Sequence, residues 1–227
     1  QMKKYLIFII ISIYSSACFA HIGHYIKFNK VEMEIFRNGE LIGYNYYFFT
    51  RNGDETIVTN QIKFSVKLLG TIVFQVEGYG EEKYVKDQLV SFNSKTLQND
   101  NEKFVNLTFD KNNNEFNIKG SSYNGKASTD SIIGNWWSHK ILQTNSQISP
   151  ISGSIKDQVV TFLGKEQITQ YEQTYLVDHF TLKSKDLSLP KNKRLNFNIW
   201  YDPKTYRILK VTYQRMGNWE YRLKSIE

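Results

Sequence analysis

The chain of 227 residues has one cysteine, three prolines and four histidines. The cysteine is Cys18, inside the first twenty residues, so the remainder has no thiol. That excludes disulfides, cysteine nucleophiles and thiolate zinc sites from the body of the protein. Three prolines and 13 glycines are scattered without any linker-like tract, which predicts one continuous domain over residues 21–227. No G-x-S-x-G elbow is present. Gly78-Tyr79-Gly80 is only a fragment of a glycine-rich loop, in strand context rather than ahead of a helix. Asp178 and His179 are adjacent on a strand and point to opposite faces, so they do not form a dyad. The pair Glu81-Glu82 diverges in the same way and reads as a solvated rim. No catalytic residue is assigned, no cofactor is implied, and the reading is of a non-catalytic protein.

The one long apolar run is N-terminal. Lys3 and Lys4 precede Leu6–Ile13, and Cys18-Phe19-Ala20 places small residues at −3 and −1 of a cut between Ala20 and His21. The run is too short to span a bilayer as a helix. Residues 1–20 therefore read as a signal peptide, and the product as periplasmic or secreted. Lipidation at Cys18 is the alternative; it fits less well because Tyr14 and Ser15 stand where a large aliphatic residue is wanted. Cleavage would leave His21 at the new N-terminus with His24 nearby. The two could chelate copper or nickel, but no third ligand is identifiable, and a frayed terminus is the plainer reading. The string His21-Ile22-Gly23-His24 also occurs in nucleotide-binding synthetases; it lacks that context here. The formal charge is +7, about +5 without Lys3 and Lys4. The tightest basic group is Lys191-Asn192-Lys193-Arg194, a solvated turn after Pro190. Export argues against nucleic acid as a partner and leaves peripheral contact with an anionic envelope surface open. The sequence does not indicate an oligomeric state.

The body has strand periodicity. Leu195–Tyr201 alternates apolar and polar residues, which puts one face on a core and one in water. Asn38-Gly39, Asn52-Gly53-Asp54 and Gly217-Asn218 fall between such runs, at hairpin spacing and with residues that accept φ > 0 cheaply. Lys86–Gln88, Gln98–Asn101 and Lys111–Asn114 read as further turns. Residues 130–142 break the pattern: Asp130 is a candidate N-cap, and Ile133, Trp136, Trp137 and Lys140 are spaced as on a helix, although Gly134 weighs against one. The expected fold is all-β. It is a single strongly curved or closed antiparallel sheet, a barrel or half-barrel of about a dozen strands, with one short helix or ordered loop near 130–142.

Aromatic residues are abundant, with 15 Tyr, 15 Phe and 4 Trp. Most should fill a core, and Ile72-Val73-Phe74 fits a strand covered on both faces. The remainder suggest an apolar, lipid-like ligand held against a curved aromatic wall, with Trp136 and Trp137 at its mouth and Trp200 and Trp219 on or near the wall. A structural or protein-interaction module of the envelope is the alternative, and an enzyme a lower one. Three segments carry a resemblance: Met33–Gly43, Tyr84–Thr96 and Asn198–Asp202. Together they resemble the exported bacterial family filed as domain of unknown function 6134. The chain departs from that pattern at Tyr84, where tryptophan is expected, and at Asp87-Gln88, where glycine is usual. The resemblance implies a signal peptide, a periplasmic location and a curved sheet like that of lipoprotein carriers. It supplies no catalytic residues.

Overall fold

The computed structural model describes residues 27–227. The leader, Cys18, His21 and His24 lie outside the described residues. Among the described residues fifteen strands follow one another. The first eight are β1 (Lys30–Arg37), β2 (Glu40–Asn52), β3 (Glu55–Leu68), β4 (Thr71–Val85), β5 (Gln88–Gln98), β6 (Asn101–Asp110), β7 (Glu115–Gly120) and β8 (Asn124–Ser128). The others are β9 (Ile132–Ile133), β10 (Ser146–Ile148), β11 (Ile155–Gln170), β12 (Gln173–Ser184), β13 (Asn196–Asp202), β14 (Arg207–Gln214) and β15 (Asn218–Ile226). They form one sheet in the order β8-β7-β6-β5-β4-β3-β2-β1-β15-β14-β13-β12-β11-β10-β9. Every pairing is antiparallel except that of β9 with β10. The β1–β15 ladder joins the two ends of the chain, and hairpins extend the sheet outward on either side.

The two edges of this sheet, β8 and β9, are consecutive in sequence and joined by residues 129–131, where the Ser131 amide donates to the Ser128 carbonyl at 3.0 Å. The sheet therefore curls until its edges meet at one turn, but no ladder links them. Of the expected forms, a strongly curved or a closed sheet of about a dozen strands, the structure has the curved and unclosed one, with fifteen strands among the described residues. β9 and β10, two and three residues long, lie within and just beyond the stretch read as helix or loop. That stretch is an ordered loop with a single 3-10 turn, His139–Leu142. Asp130 does not cap it; the Ser138 hydroxyl accepts from the Lys140 amide instead.

Period-two alternation decides what faces inward. On β1, Val31, Met33 and Ile35 are buried, and on β4 the inward positions are Val76, Gly78, Gly80 and Glu82. Two apolar clusters result. One joins β1–β4 to β12–β15, and the other joins β5–β8 to β9 and β10. Tight curvature needs close backbone approach at Gly43, opposite Phe64 in the β2–β3 ladder. A Cβ there would sit 2.1 Å from the Lys63 carbonyl oxygen and 2.5 Å from Phe64 Cβ. Neither is a flexible side-chain end, so Gly43→Ala is expected to cost roughly 3 kcal/mol, at the upper end for overpacking. A fall in the urea midpoint at unchanged slope would register it.

The turns expected from the sequence are found, the last of them shifted, and the structure adds others beyond those expected, Leu69-Gly70, Tyr171-Glu172 and residues 203–206 among them. Leu69-Gly70 is a turn with φ of 49° and 81°, and it leaves Ile72 and Val73 half exposed on the hairpin tip rather than covered on both faces. The last hairpin turns at Arg215–Gly217, one step earlier than expected, with positive φ at Met216 and Gly217. At the far end of the β11–β12 hairpin, the Gln170 amide donates to the Leu209 and Leu223 carbonyls. There the Tyr171 hydroxyl donates to Glu34. This hairpin folds over the outer face of β14, β15 and β1, where Val177 and Leu209 are buried outside both interior clusters.

Candidate functional site

The sequence placed a ligand against the concave wall, and that wall is occupied by the chain itself. The loop between β9 and β10 runs through the interior over residues 134–142 before it surfaces at Gln143 and Asn145. Trp137 and Ile141 enter one cluster, with Ile132, Trp136 and Leu142 packed against it, and Ile133 and Ile148 enter the other. The Trp137 ring meets Phe49 and Tyr84 edge to face, with centroids 5.4 and 6.1 Å away. Trp136 packs edge-on to Phe197 at 5.1 Å, and its backbone amide donates to the Tyr47 hydroxyl at 3.2 Å.

Polar bonds pin this segment on two sides. Glu82 is fully buried on β4, and its Oε1 accepts from Trp137 Nε1 at 3.0 Å and from Asn135 Nδ2. Its Oε2 accepts from the Tyr84 hydroxyl. Burial pushes the Glu82 carboxyl up to about 7, against the opposing pull of those donors, and pushes the Tyr84 phenol well above its usual value. On the opposite side, Gln158 Nε2 donates to the carbonyls of Ile141 and Thr144 at 2.9 and 3.0 Å, and its Oε1 accepts from Gln147 at 2.6 Å. A buried polar group without partners would cost 1–3 kcal/mol. Here each stated oxygen and amide is matched, so the segment is a plug bonded to both walls. The reading of Glu81-Glu82 as a solvated rim is corrected accordingly: Glu81 faces outward, but Glu82 is the interior anchor of the plug. Period two allowed that inward placement; Glu82's partners lie 53 and 55 residues away in sequence, beyond local pattern.

The four tryptophans proposed as ligand wall do not share one surface. Trp136, Trp137 and Trp219 face the interior and contact protein, Trp219 packing on Phe64 and Tyr213 and donating to the Arg215 carbonyl. Trp200 is on the outer face. Its ring stacks on His179 at 4.5 Å and carries the Lys210 ammonium 4.0 Å from its centroid, and its N–H donates to Glu166. His179 places Nδ1 3.0 Å from Glu166 and Nε2 3.0 Å from the Asn198 side-chain oxygen. Both ring nitrogens are committed, so this imidazole ties β11, β12 and β13 together and presents no nitrogen to a substrate. Asp178 points the other way, to Lys165 at 3.0 Å. Two hollows among the described residues are open grooves of about 440 and 480 Å³. Both are lined mainly by outward-facing side chains, Lys63, Glu77 and Tyr79 in one and Phe36, Thr212 and Glu220 in the other. Among the described residues no group of three or more His, Cys, Asp or Glu is disposed to hold a metal ion, and no helix is long and apolar enough to cross a membrane.

A single antiparallel sheet curled around a plug from its own chain defines a β-barrel-like class of protein. The chain belongs to the family of the domain of unknown function 6134 (DUF6134), whose model matches residues 33–224. Among solved structures it is similar to a β-barrel-like protein of domain of unknown function DUF1849 from Brucella abortus. The TM-score is 0.57 at 9% identity, covering 87% of this chain and 95% of that one. A presumed exported protein with a YmcC-like fold from Bacteroides fragilis covers 87% of this chain and 94% of its own at 9% identity. Its TM-score of 0.35 is too low to carry an argument. No curated protein matches the chain. The first likeness extends to the fold alone.

Proposed function

We propose that this is an exported, non-catalytic β module of the cell envelope that works through its outer surface and loop ends rather than by carrying a ligand inside. One observation carries the reading: the interior that a carrier would leave hollow is filled by residues 134–142 and bonded shut through Glu82 and Gln158. An enclosed pocket for a drug-sized or lipid-like ligand needs some hundreds of Å³, and the plug occupies that space. Export is supported by the three-part N-terminal pattern and predicts a mature N-terminus at His21.

Both parts are open to one experiment, intact-mass spectrometry under native conditions on protein exported in a Gram-negative host. The expected spectrum shows a chain starting at His21 with nothing bound. A stoichiometric lipid or other apolar adduct would overturn the filled-interior reading, and a mass retaining residues 1–20 would overturn cleavage.

A further inference from the structure

Antiparallel order sorts the turns into two poles. The β1–β2, β3–β4 and β14–β15 turns share one pole. Register sets them at equal height, because Arg37 pairs with both Glu40 and Trp219 and Gly43 pairs with Phe64, which puts Lys67 across from Glu40. The Arg37 guanidinium donates to the Met216 carbonyl, and the Asn38 side chain accepts from the Asn218 amide at 2.8 Å, so two of these turns are locked side by side. The β12–β13 connection lies at the same pole.

Each of the three turns holds a left-handed residue followed by glycine: Asn38-Gly39 and Leu69-Gly70 as two-residue loops, and Met216-Gly217 within the three-residue loop Arg215–Gly217. Asparagine takes that conformation cheaply, whereas leucine and methionine are disfavoured there. Yet Leu69 is 99% exposed and Met216 90% exposed. A costly residue at a position where it packs on nothing within the chain points to contact outside it. Leu41, Leu68, Ile72 and Leu187 are also exposed at this pole. Lys67 and Arg215 flank the two apolar tips, and Lys191 and Lys193 stand in the exposed 3-10 turn of the β12–β13 connection. The turns of the opposite pole carry Asp54, Asp87, Asp110 and Asp130 beside Lys86, Lys111 and Lys204, whereas those of this pole carry Asp100 and Asp186 beside Lys185, Lys191, Lys193, Arg194 and Arg215.

We propose that this pole docks on an anionic phospholipid bilayer, with Leu69 and Met216 inserted between headgroups and the basic residues against their phosphates. Separate projecting prongs suit a fluid surface. The acid-to-base polarity along the molecule turns the apolar tips toward a negative surface, as polybasic segments do. The inference rests on the outer-surface reading above but can fail separately from it.

Flotation of the purified exported protein with vesicles tests it. With vesicles containing phosphatidylglycerol the protein is expected to float; with phosphatidylcholine alone it should stay behind, and high salt should weaken binding. The double variant L69S/M216S should bind the anionic vesicles at least tenfold more weakly. L176S, which alters an exposed leucine toward the other pole, should bind as the parent does. Unchanged urea midpoints would show that both variants fold. No flotation of the parent, or flotation untouched by L69S/M216S, overturns the proposal, as does loss of a protein contact in place of a lipid one. A filled interior in the native mass spectrum would survive any of these results.

Discussion

Trp137→Ala is expected to lower the unfolding free energy by about 3–5 kcal/mol, the range for truncating a buried large aromatic side chain. Trp137 is only 4% exposed and is held between Phe49 and Tyr84. Its removal leaves a void at the middle of the plug, because the curled wall around it is laddered and cannot close in. It also strips one donor from the buried Glu82 carboxyl, which adds an electrostatic cost to the packing cost. Against a typical total of 5–15 kcal/mol, the loss is a large fraction of the fold's stability. Trp200→Ala should cost only about 1 kcal/mol, since its contacts to His179 and Lys210 lie on the outer face, where such ring and cation contacts are weak. Urea titrations of the two variants measure the contrast. Equal losses would mean that the interior segment is not held as described.

Glu82 should make stability fall as pH rises. Its carboxyl is raised in the folded protein from 4.5 to about 7 by burial. Between those values the unfolded chain has released the proton while the folded chain keeps it, so each step up in pH favours unfolding. The contribution is fully present below pH 4.5, is lost progressively up to pH 7, and is then constant. At about 1.4 kcal/mol per pH step the total is on the order of 3 kcal/mol. Glu82→Gln should remove that slope while keeping the bonds. The amide oxygen still accepts from Asn135 and Trp137, and the amide N–H₂ can donate to the Tyr84 oxygen once that hydroxyl turns. The difference between the two proteins' stability-versus-pH curves isolates Glu82 from every other titrating group. Parallel curves would refute the assignment.

Local pattern carried much of the architecture. Alternation placed β1 and β13 to within a residue or two, and the Asn-Gly pair at 38–39 marked its turn because asparagine and glycine take the required backbone at little cost. The same logic missed Leu69-Gly70, since leucine is not a turn residue, and so a solvent-facing hairpin tip was read as a doubly covered strand. It also stopped short of the plug. Residues 130–142 stood out as irregular, and Trp136 and Trp137 as unusual, but whether such a segment gates a cavity or fills it depends on Glu82 and Gln158, which reach it from distant strands. Trp200 and Trp219 show a related limit. Alternation along β13 already puts Trp200 on the outer face with Asn196 and Asn198, and along β15 it puts Trp219 on the buried face with Tyr221, so aromatic type alone did not make either a wall residue.

Hydrogen exchange across residues 132–148 tests the central claim most directly. The Gly134 amide donates to the Ile148 carbonyl at 2.9 Å and the Trp136 amide to the Tyr47 hydroxyl. If the segment is a permanent plug, these amides should exchange only with global unfolding, as slowly as those of Met33 and Ile35 in β1. Exchange within seconds, while β1 stays protected, would show a lid that opens on a hollow interior and would contradict the filled-barrel account.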